Sequence, residues 1–219
     1  CVVSGGVSAQ AGIFFGNSLT GTATVTNYGT INGNVVARTD FAADGVIYNY
    51  GTVTGALTVL VNQTAFGSAR IFNSGRSASI GIRLSNSVFG GAYISNSGTT
   101  GFIRSRMFGP SDIVNSGFAD AIVNTAVGNA SAKTVNTGTV ATEIHTENIQ
   151  GFTSGAETIN AGSVGNIRTT ADSAAGNAIS TNQATGVAGS IFTLWGSGAR
   201  GEGITYRFRL ADFWKPNKD

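Results

Sequence analysis

Short apolar segments recur along the chain, and glycine or asparagine bounds each of them. Val46–Tyr48 and Ala92–Ile94 are examples, and both are rich in β-branched or aromatic residues. Segments of this length and composition predict β-strands. Leu, Glu and Lys are too scarce for a helical repeat, and 32 glycines are too many. The pattern therefore predicts an all-β protein.

A three-residue motif, Asn-x-Gly, returns seven times at nearly constant spacing. The steps between successive asparagines are 22, 24, 23, 19, 21 and 24 residues. Val or Ile stands two residues before the asparagine in the first five copies, and Thr-Ile or Thr-Val follows the glycine in several. An eighth, degenerate copy centres on Asn182. The seven asparagines are Asn27, Asn49, Asn73, Asn96, Asn115, Asn136 and Asn160.

A repeat of this length predicts a parallel β-helix, or β-solenoid, because one coil cannot bury its apolar side alone. Each coil would contribute short strands that pair in parallel with the next coil at a rise of about 4.8 Å. We expect about eight coils, wound in the right-handed sense that strand crossovers prefer. The motif asparagines are expected to hydrogen-bond along a column. Its glycines are expected to tolerate a left-handed backbone. The alternative, an antiparallel sandwich or barrel, does not need one residue type at one place in every repeat.

Phenylalanine also recurs, seven residues before the asparagine in three copies and each time followed by glycine. We expect Phe66, Phe89 and Phe108 to stack inside the core. The solenoid repeats are assigned to residues 20–190. Residues 1–19 are predicted to form an N-terminal cap or assembly segment, and residues 191–219 a C-terminal cap or assembly strand.

The two ends of the chain differ from the middle in charge. The first 37 residues carry no charged side chain, whereas the last 20 hold eight of the 24 charged groups. Residues 204–210 alternate apolar and polar positions, which predicts an amphipathic strand. This strand either closes the open end of the core or docks on a neighbouring molecule and builds a filament. The residues assigned to assembly are Ile204, Tyr206, Phe208, Leu210, Phe213 and Trp214.

Composition limits the partners. Charged residues are 11% of the chain with a net charge of +2, against about 25% charged in ordinary domains, so nucleic-acid binding is not expected. No apolar run reaches the roughly 18 residues of a membrane helix. The single cysteine, Cys1, excludes a disulfide within the chain. A chain that begins with Cys resembles a mature bacterial lipoprotein acylated at that residue. An arbitrary start of the sequence and a disulfide between molecules are the other interpretations.

The segment Val25–Gly33 reads Val-Thr-Asn-Tyr-Gly-Thr-Ile-Asn-Gly. It resembles the Asn-x-Gly-Thr-Ile-x-Gly repeats in β-helical passenger regions of bacterial autotransporters and large surface adhesins. The resemblance covers about residues 20–185. It implies a secreted or cell-surface protein, including an outer-membrane lipoprotein. This chain is short for a passenger, which leaves open a fragment, a lipoprotein or a subunit that polymerises.

One cluster of side chains offers candidate chemistry. Glu143, His145 and Glu147 would point to one face of a strand with Ile144 inward, and Arg168 would lie beside His145 one coil later. Such a set could hold a metal or perform acid–base chemistry. A solvated outer face explains it more simply, so we expect no catalytic residue, metal or cofactor.

Cations recur after the motif and could form a column that binds acidic glycans or only maintains solubility. Tyr28 and Tyr50 share a repeat position and could stack on sugar rings or on each other. The recurring cations are Arg38, Arg83, Arg104, His145 and Arg168, and the four arginines among them form the proposed glycan-binding column.

The leading hypothesis is a non-enzymatic extracellular structural protein that self-associates into a filament. The second is an adhesin domain that binds glycan or host protein along one face, and the third is a polysaccharide lyase or hydrolase of the β-helix type. The expected partner is another copy of the chain, with no nucleic acid and with membrane contact only through a lipid on Cys1.

Overall fold

The computed structural model describes residues 2–11, 21–40, 43–62, 66–84, 90–151, 153–173 and 176–196. Every regular element in these ranges is a β-strand, so none of them forms a helix that could cross a membrane. The described strands are β1 (Val2–Ser4), β2 (Val7–Ala11), β3 (Thr22–Asn27), β4 (Thr30–Asn32), β5 (Val35–Asp40), β6 (Asp44–Asn49), β7 (Thr52–Val53), β8 (Ala56–Asn62), β9 (Ala69–Asn73), β10 (Ser79–Leu84), β11 (Ala92–Asn96), β12 (Thr99–Met107), β13 (Ser111–Asn115), β14 (Phe118–Val127), β15 (Ala132–Asn136), β16 (Thr139–Gly151), β17 (Ala156–Asn160), β18 (Ser163–Ser173), β19 (Ala178–Asn182) and β20 (Val187–Trp195).

These strands form two large parallel sheets and one small sheet. Sheet 1 has nine strands in the order β2-β5-β8-β10-β12-β14-β16-β18-β20. Sheet 2 has eight in the order β3-β6-β9-β11-β13-β15-β17-β19, and β1, β4 and β7 form the small third sheet. Each strand pairs with its equivalent one coil away, in parallel. The backbone therefore winds as a β-solenoid, which confirms the predicted fold class.

The motif asparagines form one buried column along sheet 2. Every pairing in this sheet aligns asparagine with asparagine, from Asn27 to Asn182. Seven side-chain hydrogen bonds of 2.7–2.8 Å link the eight residues, and each Nδ2 donates to the Oδ1 one coil further on. Eight levels correspond to about seven turns at about 4.8 Å each. The predicted column is confirmed, and Asn182 extends it.

The motif glycine is required by the close approach of successive coils. A Cβ on Gly98 would overlap the backbone carbonyl of Gly75 in the preceding coil. The expected left-handed backbone is wrong for this position, because no motif glycine has a positive φ. The described glycines that do have one are Gly5, Gly33, Gly128 and Gly196.

One aliphatic column runs along the inner face of sheet 1. Its members are direct register partners, and all except the first are buried. Burial of each aliphatic side chain contributes about 1.5–3 kcal/mol, so stacking the coils creates the core that a single coil lacks. The column consists of Val7, Val35, Leu57, Ile80, Ile103, Ile122, Ile144, Ile167 and Ile191.

The predicted phenylalanine stack in the core is wrong for the two members that the structure describes. Phe66 is 71% exposed and Phe108 is 44% exposed. Phe66 precedes a glycine at the corner where the chain enters sheet 2. A Cβ on Gly90 at this corner would overlap the carbonyl of Gly67, so the backbones of neighbouring coils lie in close contact there. Phe89 lies outside the described residues.

The parallel pairing of sheet 1 continues to Trp195, beyond the residue 190 at which the repeats were expected to end. Several predicted residues lie outside the described ranges, and their roles stay predictions. They are Cys1, Ile204, Tyr206, Phe208, Leu210, Phe213 and Trp214.

Candidate functional site

Strand β16 carries the cluster predicted from the sequence on the outer face of sheet 1. Ile144 is fully buried between Glu143 and His145, so the alternation of the strand points Glu143, His145 and Glu147 outward. Arg168 is the register partner of His145 on β18, which confirms the expected neighbour.

The polar contacts of this cluster are local. His145 Nε2 lies 3.6 Å from Glu147 Oε2, and Thr125 Oγ1 donates a hydrogen bond of 2.9 Å to Glu147 Oε1. Nε2 itself is buried and has no hydrogen-bond partner. The Arg168 guanidinium lies 5.7 Å from the centre of the Phe192 ring, a cation–π contact. Glu147 is thus held by neighbours in its own coil and the preceding one.

A recess of about 420 Å³ opens beside this strand. It lies where the registers of β14 and β16 and of β16 and β18 shift. Its walls include Phe102, Thr142, Glu143, His145 and Asn166.

The two carboxylates of the cluster lie four residues apart on β16. The Cα atoms of Glu143 and Glu147 are about 13 Å apart, because an extended strand rises about 3.3 Å per residue. Glycoside hydrolases place their two carboxyl groups about 5–9.5 Å apart. The described part of the chain also contains no group of three His, Cys, Asp or Glu residues that could hold a metal ion. The cluster places His145 within 3.6 Å of Glu147 beside a recess.

The predicted single cation column is wrong, because the cations occupy two adjacent columns of sheet 1. Arg104, His145 and Arg168 share one column. Arg38 and Arg83 belong to the next column, together with Arg106, which sequence counting missed. All the arginines in both columns are exposed. The distance from the motif asparagine did not reveal this because the coils differ in length.

Aromatic side chains line the outer surface near sheet 2. Tyr28 stacks on Tyr50 with ring centres 4.9 Å apart, which confirms that they contact each other. Tyr48 stacks on Phe72 in the same way at 5.1 Å, and Phe72 contacts Tyr93 at 5.7 Å. The exposed faces of these rings form short ladders on the outside of the solenoid.

One acidic residue on the outer face of sheet 2, Asp112, has a raised pKa. Burial raises the pKa of the Asp112 carboxyl, and the nearby positive charge of Lys133 opposes this increase. Lys133 Nζ forms an ion pair of 2.8 Å with Glu157 Oε2 in the next coil. One cation is therefore shared by carboxylates on the coils above and below it.

Sequence reasoning missed a chain of buried and partly buried hydroxyl groups, here called the hydroxyl chain, which runs along the interior of the C-terminal half. Strands of sheet 1 and sheet 2 contribute alternately, so the chain links the two sheets. Its signal in the sequence is the residue two before the motif asparagine, which changes from Val or Ile to Thr or Ser after the fifth copy. The donor-to-acceptor pairs are Thr146 to Thr134 (2.7 Å), Thr158 to Thr146 (2.9 Å), Thr169 to Thr158 (2.8 Å), Ser180 to Thr169 (2.8 Å) and Thr193 to Ser180 (2.7 Å).

Comparison with known proteins gives no match. No protein family, no curated protein and no solved structure is significantly similar to this chain. Its function therefore has to be argued from the arrangement of its own residues.

Proposed function

We propose that the chain is an extracellular structural protein that self-associates end to end, the last coil of one molecule stacking on the first coil of the next. The observation that carries this proposal is the absence of charge at both described ends of the solenoid. Edge strands usually carry charged side chains that prevent them from pairing with other chains. Here, charge is confined to the middle coils of the described chain.

The C-terminal end supports the proposal most clearly. Residues 176–196, which contain β19 and β20, include no charged side chain. Ile179, Leu194 and Trp195 are each more than 40% exposed on these strands. An uncharged edge strand with exposed apolar side chains favours pairing with another strand.

The N-terminal end has the same character. The first charged residue of the chain is Arg38, so β1 to β4 are uncharged. Val2 is largely exposed on the first of these strands. The edges of both large sheets at this end, β2 and β3, are thus unprotected by charge.

The asparagine column provides a template for the junction. Asn27 begins it with an Oδ1 that accepts from the Gly29 backbone, and Asn182 ends it with an Nδ2 that donates to the Gly186 carbonyl. In every inner coil the corresponding atoms also bond to the neighbouring asparagine. Head-to-tail stacking would place Asn182 of one molecule against Asn27 of the next. Such an interface does not close on itself and so builds a filament.

Sedimentation velocity over a range of concentrations, with negative-stain microscopy, tests the proposal. The wild-type chain should form rods that lengthen with concentration. The double variant Ile179→Lys/Leu194→Lys should remain monomeric, since charges on an edge strand prevent pairing. Residue 179 is the register partner of Glu157, so the fold should accept a lysine there.

The matched control adds the same charge at two exposed turn positions in middle coils, Ser116→Lys/Thr137→Lys. This variant should assemble like the wild type. A wild-type chain that stays monomeric at every concentration contradicts the proposal. Equal loss of assembly in both variants would show that added charge, and not the end coil, is responsible.

The adhesin hypothesis is the second candidate. The observation that favours it is a group of exposed arginines on sheet 1, which is independent of the ends of the solenoid.

A further inference from the structure

Three guanidinium groups lie together on the outer face of sheet 1. Arg83 on β10 and Arg106 on β12 are direct register partners, and Arg104 lies two residues before Arg106 and so points to the same face. All three side chains are exposed. They are called the arginine patch below.

The arginines of the patch form no ion pair with the described residues. Lys133 forms an ion pair with Glu157, and neither this pair nor the contact of His145 with Glu147 involves the patch. Like charges directly opposite each other on neighbouring strands destabilise a sheet. Sheet 2 avoids this by alternating Lys133 with carboxylates, whereas sheet 1 retains an Arg83–Arg106 pair. A bound anion would remove that repulsion.

The surface beside the patch is open and carries both apolar and polar groups. Gly81 is the register partner of Arg104, and a Cβ there would meet only the Arg104 carbonyl at 3.8 Å. The missing side chain leaves a shallow space between strands. Phe102 presents a partly exposed ring two residues before Arg104, and its register partner is the hydroxyl-bearing Ser79.

We propose that the arginine patch binds an anionic polysaccharide, one that carries carboxylate or sulfate groups along its chain. Guanidinium groups bind such groups with paired, charge-assisted hydrogen bonds. The Phe102 ring provides a face against which the C–H groups of a sugar pack. The space over Gly81 allows the backbone of the polymer to approach the sheet. A flat sheet surface suits a linear chain better than a compact small molecule.

Charge on the rest of sheet 1 limits the length of the bound segment. Glu143 and Glu147 lie on β16, two strands beyond Arg104, and repel anions. The favourable surface therefore extends over β8 to β12, about 10 Å along the axis. This length accommodates a few sugars. A nucleic-acid duplex would also extend over the carboxylates, and a net charge of +2 gives little long-range attraction to it.

Titration calorimetry with the full chain tests this proposal, with a heparin hexasaccharide and an oligogalacturonate as the anionic probes and a neutral dextran oligomer as the blank. The wild type should bind at least one anionic probe and not dextran. The variant Arg83→Gln/Arg104→Gln/Arg106→Gln should bind about tenfold or more weakly, because each charge-assisted hydrogen bond contributes to affinity.

The control variant Arg70→Gln/Arg76→Gln/Lys133→Gln removes the same charge outside the patch and should bind within about twofold of the wild type. Mass spectrometry of phenylglyoxal-modified wild-type chain tests the site without substitution. The bound probe should protect Arg83, Arg104 and Arg106 and leave Arg70 and Arg76 reactive. No binding of either anionic probe overturns the proposal, as do equal losses in both variants. Tighter binding of single-stranded DNA of equal charge also overturns it in favour of a general polyanion site.

Discussion

Thr158 donates a hydrogen bond of 2.9 Å to Thr146 across the interior of the solenoid, and both side chains are fully buried. The two residues come from opposite sheets, so this bond ties the walls of the solenoid together. A buried hydroxyl without a partner costs about 1–3 kcal/mol, which makes the alignment of the two sheets specific. Apolar contacts between the same sheets in the N-terminal half impose no such directional requirement.

Replacement of Thr158 by valine should destabilise the protein. The change keeps the shape of the side chain but leaves Thr169 without its acceptor and Thr146 without a donor. We expect the free energy of unfolding to fall by about 1–3 kcal/mol in urea denaturation. Thr181→Val, at an exposed position of the next strand in sheet 2, should change it by less than about 0.5 kcal/mol. A Thr158→Val protein as stable as the wild type would show that the hydroxyl chain does not stabilise the fold.

A pair of glycine substitutions compares a glycine that touches the backbone of the neighbouring coil with one that lies beside open space. Gly98→Ala should lower stability by about 1–3 kcal/mol or more, because the added methyl overlaps the Gly75 carbonyl. Gly81→Ala places its methyl in open space and should be neutral or stabilising by up to about 1 kcal/mol. Thermal unfolding followed by circular dichroism measures both. Equal effects of the two substitutions would contradict the stacking of the motif glycines.

Asp112 gives a pH dependence of defined sign. Burial raises the pKa of its carboxyl in the folded protein above the unfolded value, so the folded state binds this proton more tightly. The ionised form therefore destabilises the fold at neutral pH, and this contribution disappears as the pH falls through the raised pKa. Asp112→Asn should be at least as stable as the wild type at pH 7. As the pH falls, the free energy of unfolding of the wild type should rise relative to that of Asp112→Asn.

Urea unfolding of both proteins between about pH 7 and pH 3 measures the difference, which is small because Asp112 is only half-buried. Lys133→Gln should raise the pKa of Asp112 further, since Lys133 lowers it. A wild type that loses stability relative to Asp112→Asn on acidification would reverse the predicted sign.

Removal of residues 197–219 distinguishes the two roles predicted for the C-terminal segment. The shortened chain retains every described strand, because β20 ends at Trp195. If the segment covers the last coil, its removal should increase assembly in sedimentation experiments by exposing β19 and β20. If it is the assembly strand, its removal should abolish assembly. An unchanged sedimentation profile would contradict both roles.

The parts of the fold that depend on spacing could be predicted from the sequence. Asn96 and Asn115 are only 19 residues apart, yet they are direct partners, because the turn motif marks the coil regardless of its length. Recurrence alone does not show which way a side chain points at a corner. Phe66 and Phe108 stand at a fixed distance before the motif asparagine, but both side chains are exposed.

The candidate sites consist of residues on adjacent strands or on the facing sheet. The spacing of residues along one strand does not show which of them lie next to each other. The Arg83–Arg106 pairing requires the exact register between β10 and β12, and coils of different length obscure it. Thr134 and Thr158 appear in the sequence as breaks in an isoleucine column. Their hydrogen bonds emerge only when the facing residues of sheet 1, such as Thr146, are placed opposite them.

End-to-end stacking is tested most directly by cysteine cross-linking between two different chains. In a Cys1→Ser background, one chain carries Tyr28→Cys in the first Asn-x-Gly turn, and the other carries Gln183→Cys after Asn182. Stacked coils would bring the two Cα atoms to about 4.8 Å, within the disulfide range of about 4.4–6.8 Å. End-to-end stacking predicts a cross-linked heterodimer on mild oxidation, and no heterodimer when Thr137→Cys replaces either substitution. Absence of the heterodimer, or cross-links only between identical chains, would contradict it.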